Sequence, residues 1–155
     1  MESRATSQPQ FTQAEIASLQ TAYEQAIYEV YDGENKIELS IGEHALELER
    51  IIPTEYASWA LITAYNPYSQ LLSEAENWQR HQKLLDYLSS QQLTSLAALG
   101  KDRKDIWIPE PSLLIFGLNR TEAIAIGRKF QQNAIVYGEL HQPVELLWVD
   151  HKISQ

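Results

Sequence analysis

Three helix-start signals fix where the main helices of this chain begin. Each places a small polar residue three positions before a glutamate, and the segments are Thr12–Glu15, Ser73–Glu76 and Asn119–Glu122. In this pattern the two side chains satisfy backbone N–H groups that the first helical turn leaves without partners. The sequence therefore predicts helices over about 12–25, from Ser73 to about Ser90 and from Asn119 to about Gln131.

Strand signals fill the gaps between these helices. Two alternating runs on either side of Asp32 and Gly33 predict a β-hairpin. Residues 44–50 are compatible with a short helix that Pro53 ends. Apolar runs predict five further strands, at 58–64, 93–99, 112–116, 133–137 and 144–149.

The order of elements from Ser58 to Tyr137 is β-α-β-β-α-β, which is the split-βαβ, ferredoxin-like pattern. The predicted fold is α+β, with this sheet extended by the N-terminal hairpin and by the C-terminal strand and with helices on one face. A doubly wound sheet is the competing fold, but it requires more regular alternation. We expect residues 1–10 to be frayed and residues 11–155 to form one domain.

Composition excludes several classes of protein. There is no cysteine, which excludes disulfides and thiolate chemistry. The net charge of −9 repels phosphate backbones, so a nucleic-acid partner is not expected. The basic residues at 101–104 are interleaved with acids and are interpreted as a solvated loop. The longest apolar stretch falls far short of the roughly 20 residues of a membrane helix, and the start lacks a signal-peptide core, so we expect a cytoplasmic protein without membrane contact.

The predicted topology brings distant polar segments together. In a split-βαβ sheet the first and second strands end at the edge where the third and fourth begin, so 63–66, 110–112 and 131–133 should meet there, beside the helix start at Ser73. We expect Trp107 to lie beside this edge, where its ring could form one side of a ligand site. The candidate ligand-binding residues are Thr63, Asn66, Ser69, Glu74, Asn77, Glu110, Gln132 and Asn133.

Each candidate also has a structural interpretation. Asn66 before Pro67 is typical of a turn, and an acid such as Glu74 is favourable in a first helical turn. Gln132 and Asn133 could cap a helix or bond to a neighbouring strand end. The four histidines show no metal-ligand spacing, and the sequence contains no cofactor-binding motif.

In the helix predicted from Ser73 to about Ser90, both apolar and polar side chains are candidates for the buried face. The predicted core-facing residues are Ala75, Trp78, Leu85 and Leu88, with Leu84 flanking them. His81 shares a face with Asn77 but is predicted to lie at the surface. In the third helix, Ala123, Ile126, Gly127 and Phe130 are predicted to be buried, with Gly127 allowing close approach to the sheet.

Three segments, WALITAYNPYSQLLSEAEN, EPSLLIFGL and GRKFQQNAIVYG, resemble the motifs of a bacterial family known as a domain of unknown function. The resemblance covers about residues 20–140 and implies a small stand-alone bacterial protein, without implying an activity. The motif positions are Thr63, Asn66, Pro67, Ser69, Glu74, Asn77, Glu110, Ser112, Gln132 and Asn133.

These residues leave two main functions open. The first is a binding or interaction module that uses an amide-rich edge of Asn66, Asn77 and Asn133 to hold a polar small molecule, a peptide or a protein. The second is a small hydrolase or transferase with Glu74 or Glu110 as acid and base. A nucleic-acid binder lacks the stacking aromatics expected on strand 112–116. Strand 144–149 could pair across a two-fold axis, so a monomer and a homodimer both remain open.

Overall fold

One antiparallel sheet of seven strands organises the chain in a computed structural model that describes residues 9–104, 107–149 and 152–154. Two short strands, β1 (Gln10–Thr12) and β9 (Lys152–Ser154), pair in parallel outside this sheet. The sheet strands are β2 (Ala26–Asp32), β3 (Asn35–Leu39), β4 (Ser58–Ile62), β5 (Ser95–Asp102), β6 (Glu110–Phe116), β7 (Ala134–Glu139) and β8 (Glu145–Trp148). Their spatial order is β3-β2-β5-β6-β4-β7-β8.

The helices begin where the sequence predicts. They are α1 (Gln13–Gln25), α2 (Leu46–Ile51), α3 (Glu74–Ser90) and α4 (Arg120–Lys129), and a 3-10 turn spans Pro67–Ser69. All three capping boxes form, with Thr12, Ser73 and Asn119 as the capping residues. None of these helices is both long and apolar enough to cross a membrane, a statement that covers the described residues only.

The α+β class is confirmed, and strand positions follow the prediction closely. The hairpin of β2 and β3 extends the sheet beside β5, and β8 extends it beside β7. Residues 1–8 of the segment expected to be frayed lie outside the described residues, whereas Gln10 already belongs to β1. Strand β5 runs further than predicted, because residues 100–102 still pair with β2. Within this extension, Nζ of Lys101 lies 2.7 Å from Oε2 of the buried Glu29. Lys101 is therefore not part of a solvated loop.

Helices cover both faces of the sheet, so the prediction that they share one face is wrong. Ala60 and Ile62 pack in a cluster with α3 and α4 on one side, which we call the α3/α4 face. Trp59 and Leu61 point to the other side, where Leu48 of α2 is fully buried against them. The reason is that the central strands are apolar at successive positions, so both of their faces need cover.

The packing of α4 confirms its predicted face. Ala123, Ile126 and Phe130 are buried, and Gly127 brings the helix against β7. A Cβ added at Gly127 would lie 2.8 Å from Cγ2 of Ile135, which is shorter than van der Waals contact. The close approach expected of this glycine is therefore present.

The buried face of α3 differs from the prediction. Ala75 is exposed and Trp78 is 51% exposed, so neither faces the core. The residues that do are Asn77, His81, Leu84 and Leu88. His81 is only 7% exposed and not at the surface, because its ring packs edge-on against Tyr65 and stacks on Trp78. Tertiary partners for the two polar side chains decide which face of this helix is buried.

Gly138 in β7 provides a test of core packing. A Cβ there would lie 2.6 Å from Nε1 of Trp59 and closer still to two ring carbons, and Trp59 is 1% exposed. We expect Gly138→Ala to lower the free energy of unfolding by about 1–3 kcal/mol, as overpacked core substitutions do. Urea denaturation measures this loss.

Gly100→Ala in β5 is the matched control. Its Cβ would meet Tyr28 at 3.5 Å, an ordinary contact, so this variant should keep or slightly gain stability, by at most about 1 kcal/mol. Equal losses in the two variants would contradict the packing described at Trp59.

Candidate functional site

The loop after β4 has an unusual backbone. Asn66, Tyr68 and Ser69 have φ values of 47°, 52° and 61°, in the left-handed region. Gln131, at 60°, faces this loop and accepts a hydrogen bond from the Tyr68 N–H at 2.7 Å. A left-handed residue other than glycine costs roughly 1–2 kcal/mol. Such strain persists only where surrounding contacts enforce it, and it concentrates at functional sites.

A reciprocal pair of asparagines enforces the loop conformation. Oδ1 of Asn77 accepts the backbone N–H of Asn66 at 2.8 Å, and Nδ2 of Asn77 donates to Oδ1 of Asn66 at 2.8 Å. Oδ1 of Asn66 also accepts the Leu72 N–H at 3.0 Å, while its Nδ2 donates to Oε2 of Glu110 at 2.7 Å. Asn66 thereby ties the loop to α3 and to β6, and both amides bond inside the protein.

Three further hydrogen bonds connect the segments that the topology predicts to meet. Thr63 Oγ1 donates to the Pro111 carbonyl at 2.8 Å, which joins the end of β4 to β6. Gln132 Nε2 donates to the Tyr65 carbonyl at 3.1 Å. Asn133 Nδ2 donates to Ser69 Oγ at 2.8 Å. Segments 63–66, 110–112 and 131–133 are therefore neighbours at one edge of the sheet.

All the candidate residues lie at this edge, and together we call them the polar cluster: Thr63, Asn66, Ser69, Glu74, Asn77, Glu110, Gln132 and Asn133. Some of their contacts are the structural ones considered from sequence. Gln132 donates to the Phe130 carbonyl at the end of α4, at 3.2 Å, as a capping side chain would. Glu74 accepts from the Tyr65 hydroxyl at 2.9 Å. The two carboxylates, Glu74 and Glu110, thus have different hydrogen-bond donors.

A large cavity, which the sequence analysis missed, lies beside the polar cluster. It has a volume of about 680 Å³ and separates α1 from the sheet face opposite α3 and α4. Side chains from the helix and from four strands form its apolar walls, among them Leu19, Tyr23, Tyr28, Leu61, Val136 and Leu146. The polar cluster closes one end, so the cavity has an apolar body and a polar end.

Contacts with β8 and with the polar cluster hold α1 above the cavity. Trp148 Nε1 donates to Gln20 Oε1 at 2.7 Å, and the Trp148 ring meets Tyr23 edge-on, with centroids 5.9 Å apart. Ser69 and Asn133 of the polar cluster lie close enough to the Tyr23 hydroxyl to oppose the rise in its pKa that burial causes. None of the α1 residues is fully buried, because the helix covers space as well as side chains.

Exposed apolar side chains surround the opening of the cavity. Leu71 is 85% exposed, Ile108 is 79% exposed and Trp107 is 38% exposed, and all three line the cavity. Large apolar groups that gather in solvent commonly mark a binding surface. Trp107 lies beside the polar edge, where the sequence analysis positions it.

The ionisable groups of the cavity are acidic or phenolic. Burial raises the pKa of Glu110, and the Asn66 hydrogen bond opposes this in part. Burial also raises the pKa of Tyr23 and of Tyr65 to about 12, and it raises the pKa of Tyr28. The three hydroxyls are therefore protonated at neutral pH and can donate hydrogen bonds. Within the described part of the chain, no group of three or more His, Asp or Glu side chains could hold a metal ion.

Arg80 also supports this edge of the sheet, and sequence reasoning did not single it out. Its Nε donates to the Ala64 carbonyl at 2.6 Å, and Nη1 donates to Gln131 Oε1 at 3.1 Å. The guanidinium also donates to the Phe130 carbonyl and so joins α3 to the loop and to the end of α4. Its position three residues after Asn77 is the available signal, since residues at this spacing share a helix face.

These features define an α+β protein with a ligand-sized cavity at the edge of an antiparallel sheet. Residues 62–135 match the family described as "Protein of unknown function (DUF3293)", which confirms the resemblance to a domain of unknown function. The matched segment runs from the end of β4 into β7 and includes the whole polar cluster. Neither the curated proteins nor the solved structures show a significant match to the chain.

Removing the Asn77 amide tests its structural role. We expect Asn77→Ala to lower the free energy of unfolding by about 2–4 kcal/mol, because several buried partners lose their hydrogen bonds at about 1–3 kcal/mol each. Gln79→Ala, on the exposed side of the same helix, should change it by less than about 0.5 kcal/mol. Similar urea midpoints for the two variants would show that the asparagine pair does not hold the loop.

Glu110 predicts a pH-dependent difference in stability. The pKa of Glu110 in the folded protein is raised above the ordinary 4.5. Between the ordinary pKa and the raised pKa, the folded state therefore binds more protons than the unfolded state. Stability from this group is therefore lost as the pH rises through that window. Glu110→Gln keeps an acceptor for Asn66 without the charge, and we expect it to be more stable than the parent at about pH 7.

The stability advantage of Glu110→Gln should shrink as the pH falls below the ordinary pKa of 4.5, because the parent carboxyl then becomes protonated in the unfolded state as well as in the folded state. Urea denaturation of both proteins across this range measures the difference, and contributions from the other ionisable groups cancel. A difference that stays constant with pH would mean that burial does not penalise the Glu110 charge.

Proposed function

We propose that this protein binds a small molecule in the cavity beneath α1. The observation that carries the proposal is the cavity itself, since about 680 Å³ falls in the range of roughly 300–1,000 Å³ typical of ligand sites. Its mostly apolar walls with a few polar groups at one end are also typical of such sites. The apolar part of the ligand would lie against Leu61 and Val136, and its polar part against the polar cluster.

Within the polar cluster, some residues would hold the loop in position and others would contact the ligand. Asn66 and Asn77 bond to each other and to the loop, which supports a positioning role for the amides. Glu110, Ser69 and Thr63 line the cavity and supply the groups that a ligand would meet. The roof formed by α1 favours a compact small molecule over an extended peptide.

A small hydrolase or transferase is the second candidate, and one observation favours it. Glu110 combines burial, a raised pKa and a fixed donor in Asn66, and this combination is common in general acids and bases. In that case Glu110→Gln would abolish turnover of a substrate while leaving its binding intact. A binding protein would show no turnover in the parent.

For the fold, we propose that β4 to β7 with α3 and α4 form a ferredoxin-like split-βαβ unit. The order β5-β6-β4-β7, with each neighbouring pair antiparallel, supports this assignment. The helix α1 would then be an addition that converts one face of a common sheet into a cavity wall. Fold analogy by itself says nothing about the ligand.

Filling the cavity tests the proposal. Phenylbutanol is a suitable probe because it joins an apolar body to a hydroxyl head, and calorimetric titration measures its affinity. Ala22 in α1 lines the cavity, so Ala22→Trp should place a large ring inside it and weaken binding at least about tenfold, or roughly 1.4 kcal/mol.

Ala17→Trp is the control, because Ala17 is exposed on the same helix and does not line the cavity. This variant should bind phenylbutanol as the parent does. Binding that is equal in the two tryptophan variants would place the probe elsewhere and contradict the proposed site.

A further inference from the structure

We infer that the cavity selects a small amphiphile with a protonated amine, and that the ammonium group lies against Glu110. The inference rests on the proposed ligand-binding function, since it names the head group that the cavity would accept.

The charge lining the cavity has one sign. Glu74 and Glu110 both line it, and the described residues of its wall include no lysine, arginine or histidine. The whole chain carries a net charge of −9, which adds a field of the same sign. An anionic head group would be repelled here, whereas a cation would be attracted.

The buried carboxylate of Glu29 shows what the half-buried Glu110 lacks. Glu29 in β2 is 3% exposed, and the chain itself supplies an ammonium partner, Lys101, at 2.7 Å. Burial acts to raise the pKa of Glu29, but its hydrogen bonds and two neighbouring lysine ammonium groups, Lys101 among them, outweigh burial and hold the pKa below its usual range. Glu110, by contrast, receives the neutral Asn66 amide, and no ion pair to it occurs among the residues that the structure describes.

A ligand ammonium group would fill the role at Glu110 that Lys101 fills at Glu29. Burying a carboxylate is costly unless a cation or several donors compensate it. A charge-assisted hydrogen bond to an ammonium group is roughly twice as strong as one between neutral groups. The bound amine would therefore stabilise the ionised form of Glu110.

Aromatic rings around the same space suit a cation as well as an apolar chain. Tyr23, Tyr28, Tyr65 and Trp107 all line the cavity. The faces of such rings attract ammonium groups, and tryptophan attracts them best. Glu74 also lines the cavity, where its Oε1 accepts a hydrogen bond from the Tyr65 hydroxyl at 2.9 Å, so acidic and aromatic side chains occur together in the wall.

A matched series of ligands tests the head group. Phenylbutylamine, phenylbutanol and phenylbutyrate share one apolar body and differ in a cationic, a neutral and an anionic head. Titration of the parent protein should show the amine binding at least about tenfold more tightly than the alcohol, or roughly 1.4 kcal/mol. The carboxylate should bind least tightly of the three.

Two variants assign the preference to a residue. Glu110→Gln should remove most of the preference for the amine, measured in the variant as the ratio of the affinities for phenylbutylamine and phenylbutanol. Glu74→Gln, the charge-matched control, should reduce the preference less, because Glu74 is the more exposed carboxylate.

The outcomes separate this inference from the function on which it rests. Equal binding of amine and alcohol, with both blocked by Ala22→Trp, would overturn the inference and keep the binding site. Tightest binding of phenylbutyrate would also overturn it. If none of the three ligands binds, or if Ala22→Trp blocks none of them, the proposed function fails as well. The series on the parent protein decides the question even if Glu110→Gln does not fold.

Discussion

Two hydrogen bonds between Asn66 and Asn77 are the constraint on which the rest of the edge depends. They hold a loop with three left-handed residues against α3, and through Asn66 they also fix Glu110 on β6. A conformation this strained needs several partners at once, because each left-handed residue favours release of the loop. The hydrogen bonds that bury the Asn77 side chain therefore also fix the loop at the polar end of the cavity.

The sequence predicts those features that local chemistry or chain topology determines. The capping boxes at Thr12, Ser73 and Asn119 depend on residues within one turn, and the meeting of distant segments at one edge follows from strand order. The buried face of α3 could not be predicted in this way. A hydrophobic pattern favours Trp78 over Asn77, whereas the contacts of Asn77 with Asn66 and of His81 with Tyr65 bury the polar face instead.

The cavity could not be predicted from the sequence, because it depends on the distance between α1 and the sheet and not on a pattern of residue types. On the α3/α4 face Gly127 lets a helix touch the strands, and the two layers pack in direct contact. On the other face α1 is held away from the sheet by contacts at its sides, including Trp148 and the polar cluster. The α3/α4 face is thus closely packed throughout, whereas the opposite face is packed under α2 and keeps room for another molecule beneath α1.

The hydrogen bond between Trp148 and Gln20 makes the fluorescence of Trp148 sensitive to the position of α1. The indole N–H of Trp148 donates to Gln20 of α1, and its ring lies edge-on to Tyr23 of the same helix. A displacement of α1 would therefore change the surroundings of this indole directly. Trp59 lies deep in the sheet at 1% exposure, whereas Trp78 and Trp107 are 51% and 38% exposed. With these two exposed rings replaced by phenylalanine, the emission wavelength of Trp148 becomes a direct measure of the position of α1.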